Sequence, residues 1–259
     1  MNAQEAVPVR PQAAAQREPD AGPGTVHAAL PAVPQTGSAA AEPKPEPVPS
    51  QAPAPQAPAP HEKLAALTFD DGPDGKYTPQ VLDILKKYEV KATFFVVGTQ
   101  AGKYPEILQR IHQEGHAIGN HSWDHADLTK LSAEQIDKEI RETDELIRST
   151  VGEAPSLVRA PYGAAPEALK DELKQAGRPL VGWTVDPRDW AGSPSRSIVS
   201  NIKSHIKPGG IILLHSFGGR HGRLDNTVQA LPEIIAYLKE EGYKLVTVTE
   251  PLQAGQHGA

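Results

Sequence analysis

From Leu64 onward, short apolar runs alternate with stretches of helical periodicity, and that alternation admits few architectures. The runs are Leu64-Ala65-Ala66-Leu67, Ala92 to Val97, His116 to Asn120, Leu157-Val158-Arg159, Leu180 to Val185, Gly210 to Leu214 and Tyr243 to Val248. Between them lie helical patterns near 79–88, through Ile107, Leu108 and Ile111 to Gly115, and from Leu128 to Thr150. Others run from about 166 to Gly177, over 195–206, and through Leu231, Ile234, Ile235 and Leu238 to Gly242. Thr78 reads as an N-cap with Pro79 at the first helical position. Ser132 and Gln135 have capping-box spacing.

Repeated strand–helix units build a parallel sheet covered by helices. Seven strands fit either an open doubly wound sheet or a closed barrel one unit short of the usual eight. Polar residues decide between them. Asp70 and Asp71, His121, Arg159, Asp189 and His215 fall at or just beyond the carboxyl ends of successive runs. Residues from so many strands meeting on one face suit a barrel mouth, whereas an open sheet concentrates its site at one switch point. The expected fold is α/β, a distorted (β/α)7 barrel over residues 61–259.

Residues 1–60 differ in kind. They contain 14 of the chain's 26 prolines and no aromatic residue, too little apolar surface to offset the entropy of ordering. A disordered, partly polyproline tether is expected, with a reach on the order of 100 Å or more. Lys and Arg total 26 against 32 Asp and Glu, a net charge of −6, and no basic run is flanked by aromatics, so nucleic acid is not the expected partner. No apolar stretch approaches a membrane span. The absence of cysteine and the long tether point to an exported, envelope-associated protein whose leader peptide is not part of this sequence, acting as a monomer.

The chemistry begins at Thr68-Phe69-Asp70-Asp71-Gly72-Pro73. Side-chain alternation at a strand end sends the two carboxylates in different directions, so that one can hold a metal while the other handles protons. In His121-Ser122-Trp123-Asp124-His125, two imidazoles four residues apart on a helical turn can bind one metal. With an aspartate they make three ligands and leave a position open. Such a set suits Zn²⁺ and also Fe²⁺, Co²⁺, Mn²⁺ or Ni²⁺.

Together with Arg159-Ala160-Pro161-Tyr162-Gly163, Asp186-Pro187-Arg188-Asp189-Trp190 and Leu213-Leu214-His215, these segments resemble the five ordered motifs of the polysaccharide deacetylases, carbohydrate esterase family 4. The resemblance covers roughly 64–250. It implies a metal-dependent hydrolase acting on an acetylated GlcNAc polymer, with Zn²⁺ the expected cofactor. By that resemblance Asp71, His121 and His125 are the metal ligands, Asp70 is the general base, and Arg159 pairs with it and keeps it ionised. His215 is the general acid supported by Asp189, the Tyr162 backbone N–H helps bind the oxyanion, and Trp190 and Leu213 wall the acetyl pocket.

Amide hydrolysis near neutral pH needs an activated water, a stabilised carbonyl oxygen and a proton for the departing amine, and this set of residues supplies all three. Trp183 is read as either core or site. Asp186 is read as capping its turn. Arg220-His221-Gly222-Arg223, in a glycine-rich loop after His215, is placed at the substrate rim, while His112, His116, His205 and His221 match no motif and receive no role of their own. Peptidoglycan and chitin-type polymers are the expected substrates. Acetylxylan O-deacetylation, a non-catalytic wall-binding protein and an Fe²⁺ oxygenase are the alternatives.

Overall fold

The structure, a computed structural model, describes residues 62–248. The expected tether over 1–60 lies outside the described residues. Six parallel strands form one sheet: β1 (Lys63–Asp70), β2 (Thr93–Val96), β3 (Ala117–Asn120), β4 (Leu157–Val158), β5 (Gly210–His215) and β6 (Tyr243–Leu245). Their order is β4-β3-β2-β1-β5, with β6 also against β1. Seven helices intervene: α1 (Tyr77–Lys87), α2 (Gly98–Lys103), α3 (Pro105–Gln113), α4 (Ala133–Val151), α5 (Glu167–Gln175), α6 (Ser195–His205) and α7 (Asp225–Glu240). Among the described residues no helix is long and apolar enough to cross a membrane.

β1 is the axis of the sheet. Its amino end, Lys63 to Ala65, pairs with β6, and its carboxyl end, Thr68 to Asp70, pairs with β2 on the same side. On the other side β5 runs along it from Ala65 to Asp70. Alternation along β1 separates two cores. Leu67 and Phe69 face the outer helices, where Phe69 stacks on Phe94 with ring centroids 5.2 Å apart. Ala66 faces an inner cluster with Phe95, Val181 and Ile211.

The seventh expected strand, Leu180 to Val185, does not form. Only two parallel bridges remain, Leu180 to Val158 at the β4 edge and Val185 to Ile212 at the β5 edge. They link the two ends of the sheet path, so the ring closes through an irregular stretch. The reason is a contact distant in sequence: the Val181 and Gly182 carbonyls accept hydrogen bonds from the Arg159 guanidinium at 3.2 and 2.9 Å and are not free for a ladder. The last strand is also shorter than expected. Val246 N–H makes the last ladder bond, to the Ala65 carbonyl, after which Val248 N–H donates to Thr93 Oγ1 at 2.9 Å.

The capping box of α4 forms as its spacing predicts, Ser132 Oγ accepting from Gln135 N–H and Gln135 Oε1 from Ser132 N–H. The start of α1 differs. Asp74, not Thr78, is the cap: its Oδ1 accepts from the N–H groups of Lys76, Tyr77 and Thr78 at 3.2, 2.7 and 2.8 Å. Thr78 Oγ1 instead accepts from Asp74 N–H and donates to the Ser216 carbonyl, tying the turn after β1 to the end of β5.

His116, before β3, is buried, and its Nδ1 accepts from Ala92 N–H at 3.1 Å. Burial, aided by the Lys91 charge and opposed by Glu114, pushes its pKa down to about 4. The unfolded ring takes up a proton near 6.5 while the folded ring resists, so this contribution to stability is complete above pH 6.5 and disappears as pH falls through about 4. By pH 5 the loss from this ring is about 2 kcal/mol. Urea unfolding at pH 7.5 and pH 5 should show that drop in the native protein and a smaller one in His116→Asn, whose amide oxygen replaces Nδ1 as acceptor.

Candidate active site

Strand register assembles the site. Asp70 of β1 stands level with Phe95 of β2 and His215 of β5, and Asn120 of β3 stands level with Val158 of β4. The ladder then runs one residue past the strands: His121 N–H donates to the Val96 carbonyl, Arg159 N–H to Asn120 and Ser216 N–H to Asp70. Asp70, His121, Arg159 and His215 therefore surround one end of the ring.

There a cavity of about 410 Å³ opens, lined by Asp70, Asp71, His121, His125, Tyr162, Trp183, Asp186, Trp190, Leu213 and His215 among others. Both carboxylates of the Asp pair reach it. Strand alternation alone would send Asp71 away from Asp70, but Asp71 has φ 73°, and this left-handed turn swings its carboxylate back over the mouth. Asp71 Oδ1 lies 3.5 Å from His121 Nε2 and 3.3 Å from His125 Nε2. This oxygen is buried and accepts no hydrogen bond from the described residues. A buried carboxylate oxygen without a donor, facing two imidazole nitrogens, is the arrangement a cation would satisfy. The three ligand atoms lie within 4.8 Å of one another.

His121 Nδ1 sits 2.8 Å from the Arg159 carbonyl, so it carries the proton and leaves Nε2 with its lone pair toward Asp71. His125 packs edge-on against Tyr162, centroids 4.6 Å apart. Burial, opposed by Asp71 and aided by His121, holds its pKa below the ordinary histidine value. The segment between these histidines is a loop and not the helical turn that their spacing implies. Ser122 and His125 both have positive φ, 66° and 63°. The loop is gathered by its own polar groups: Ser122 N–H donates to Asn120 Oδ1 and His125 N–H to Ser122 Oγ. Glu139 Oε2 of α4 accepts from Trp123 and Asp124 N–H at 2.8 and 3.2 Å.

Arg159 is fully buried and supports Asp70. One Nη1 donates to Asp70 Oδ1 at 2.7 Å and to Thr68 Oγ1 at 2.9 Å, and the guanidinium stacks over Phe95 at 4.0 Å. Burial lowers the guanidinium pKa against the opposing pull of Asp70. Asp70 Oδ2 is left facing the cavity, 3.6 Å from His121 Nε2.

Across the cavity Asp189 is buried and fully engaged. Its Oδ1 meets His215 Nδ1 at 2.8 Å and accepts from Trp190 N–H, and its Oδ2 accepts from His215 N–H and Thr227 Oγ1. Burial opposes charging His215, but the hydrogen bond to Asp189 and the charges of Asp189, Asp71 and Asp70 outweigh it and push the pKa up to about 9.

Leu213 is buried at the pocket floor, while Trp190 and Tyr162 are exposed at its rim, at 42% and 69%. Tyr162 has φ 58°, and its N–H makes no hydrogen bond within the described residues. Trp183 joins both readings: it lines the cavity, stacks near Arg159 and lies where a Cβ on Gly163 would fall, 2.7 Å away. Asp186 Oδ1 caps the turn through Arg188 N–H as expected. Every predicted site residue is thus at this cavity or in direct contact with a residue that lines it. Glu139, Thr68 and Thr227 were not legible as its supports, because each acts through a contact distant in sequence, and Asn120 was not because its Nδ2 is anchored by Ile140 and Asp144 while its Oδ1 holds Ser122 N–H.

Residues 57–181 match the family model described as polysaccharide deacetylase. A peptidoglycan-N-acetylglucosamine deacetylase of Bacillus cereus is 42% identical over 194 residues, covering 74% of this chain and 69% of that protein. The chain belongs to the polysaccharide deacetylase family. A chitooligosaccharide deacetylase of Rhizobium leguminosarum bv. trifolii is 36% identical over 69% of this chain and 87% of its own length. Among solved structures, the Bc1960 peptidoglycan N-acetylglucosamine deacetylase in complex with 4-naphthalen-1-yl-N-oxidanyl-benzamide superposes with a TM-score of 0.70 at 41% identity. That match covers 72% of this chain and 86% of the other.

In this deacetylase the His215–Asp189 pair has a signed pH dependence. Its folded pKa lies above the unfolded one, so the pair stabilises the fold fully below about pH 6.5 and ceases to do so as pH rises through about 9. Histidine NMR titration of the metal-free protein should place His215 near 9. In Asp189→Asn the value should fall toward or below the ordinary 6.5.

Proposed function

We propose that the protein removes N-acetyl groups from GlcNAc residues of a wall-type polymer, with a divalent metal at Asp71, His121 and His125, Asp70 as general base and His215 as general acid. The observation that carries this reading is the convergence of two separate charge systems, Asp70–Arg159 and His215–Asp189, on one cavity beside the orphaned Asp71 oxygen. Zn²⁺ suits the two-nitrogen, one-oxygen donor set. Such a metal lowers the pKa of a water and polarises the acetyl carbonyl.

The chain's own groups do the rest. Arg159 occupies Oδ1 of Asp70, so Oδ2 is the oxygen available to take a proton from the attacking water. The unpartnered Tyr162 N–H donates to the carbonyl oxygen as negative charge builds there. Asp189 occupies Nδ1 of His215, which leaves Nε2–H to protonate the departing amine. With its pKa at about 9, His215 carries that proton at neutral pH. Leu213 and Trp190 wall the space for the acetyl methyl and exclude water from it.

Peptidoglycan is the substrate favoured. Relatives named for peptidoglycan and for chitooligosaccharides both support a GlcNAc polymer, and the expected export and wall-length tether favour the former. Acetate release from peptidoglycan, chitooligosaccharides and acetylxylan, each with Zn²⁺, Co²⁺ and Mn²⁺ supplied separately, tests substrate and metal together. Release from acetylxylan alone would overturn the amide reading.

The two neighbouring aspartates should separate in a metal-binding assay. Asp71→Ala should lose Zn²⁺ in equilibrium dialysis, while Asp70→Asn should retain it and lower kcat by about 10² to 10⁴. Equal metal loss in both would remove the division of roles.

A further inference from the structure

The cavity is lined by three carboxylates, Asp70, Asp71 and Asp186, with Asp189 buried against His215, and the chain has a net charge of −6. An anionic polymer gains little from such a surface unless cations stand where it approaches. Two exposed arginines stand at the cavity rim, one over Trp190 and one packed on the turn that follows. Arg188 has φ 58°, which turns its guanidinium back over the Trp190 ring, 5.4 Å from the centroid. Arg220, from the loop after β5, lays its stem on Gly192, two residues beyond Trp190: a Cβ there would fall 3.2 Å from both Cβ and Cδ of Arg220. Gly192 itself has φ 81°, so neither the turn nor the close approach tolerates a larger residue.

Both arginines are exposed, and among the described residues neither guanidinium has a carboxylate within 4.0 Å; the Asp186 carboxylate is engaged by the Arg188 backbone N–H. The neighbouring Arg223 does, pairing with Asp225 at 3.1 Å. An unpaired Arg188 guanidinium thus stands over the exposed Trp190 at the pocket rim, and the Arg220 stem packs on the turn just after it, with Tyr162 and His125 also lining the pocket.

We propose that Arg188 and Arg220 determine specificity for glycans that carry a carboxylate on a sugar next to the reacting one. The planar fork of arginine matches a carboxylate, and an aromatic face beneath it orients both the fork and the adjoining ring. This rests on the proposed deacetylation at the same cavity and adds a charge requirement to it. A neutral GlcNAc oligomer makes the contacts to the floor and lacks those to the rim.

The test compares peptide-stripped peptidoglycan strands, whose muramic carboxylates are free, with the same strands after chemical reduction of those carboxyls. The native enzyme should show kcat/KM about tenfold higher on the carboxylated strand at low salt, with most of the preference lost by about 0.5 M salt. In the double variant Arg188→Gln, Arg220→Gln, which keeps part of each stem, the ratio should fall to near one through KM and not kcat. A native ratio near one, or a double variant that keeps the preference, overturns the inference. Calorimetric binding of the two strands separates it from the chemistry. Preferential binding lost in the double variant, without acetate release by the native protein, would sink the deacetylase reading and leave the rim assignment standing. Acetate release without any binding preference would do the reverse.

Discussion

The buried Arg159–Asp70 pair is the interaction on which the domain depends. Taking a guanidinium and a carboxylate out of water is costly, and the cost is offset only when every remaining donor finds an acceptor. Here the guanidinium reaches Asp70, Thr68, Val181 and Gly182, while the Arg159 carbonyl accepts from His121. One residue thus joins β1, the end of β4, the irregular stretch that closes the ring and the first histidine of the candidate metal centre. The same contacts that stabilise the fold orient Asp70 and His121, so scaffold and site cannot be varied separately at this position.

A second constraint is the separation of charge across the cavity. Asp70 and His215 stand in register on adjacent strands, yet each is committed to a different partner, Arg159 on one side and Asp189 on the other. Their outer partners leave Asp70 Oδ2 and His215 Nε2 as the atoms free to face the cavity. Thr227 of α7 anchors Asp189, so even the last long helix contributes to that polarity.

Much of this was legible in the sequence because it follows from local periodicity or from residue type at a strand end. The strand carrying Asp70, the capping box at Ser132 and the helix through Leu231 and Leu238 are each set by neighbours within a few residues. What escaped depends either on distant partners or on local side-chain and backbone geometry that residue type and periodicity do not fix. Leu180 to Val185 has strand composition, but its carbonyls belong to Arg159. The histidines at 121 and 125 have helical spacing, but Asn120 and Glu139 pull their segment into a left-handed loop. Asp74 displaced Thr78 as cap because its carboxylate reaches three amides at once. Strand alternation predicted divergent aspartates, and a single positive φ at Asp71 brought them together.

That torsion has company. Asp71, Ser122, His125, Tyr162 and Arg188 all hold left-handed backbone without being glycine, and all lie in the loops that frame the cavity. Each such residue costs about 1 kcal/mol or more relative to glycine. The domain therefore keeps its chemical groups in conformations that its own backbone disfavours, so that stability and activity are opposed at the same positions. Glycine at these positions would relieve the torsions and at the same time remove the side chains that frame the cavity, so the scaffold can outlast the site.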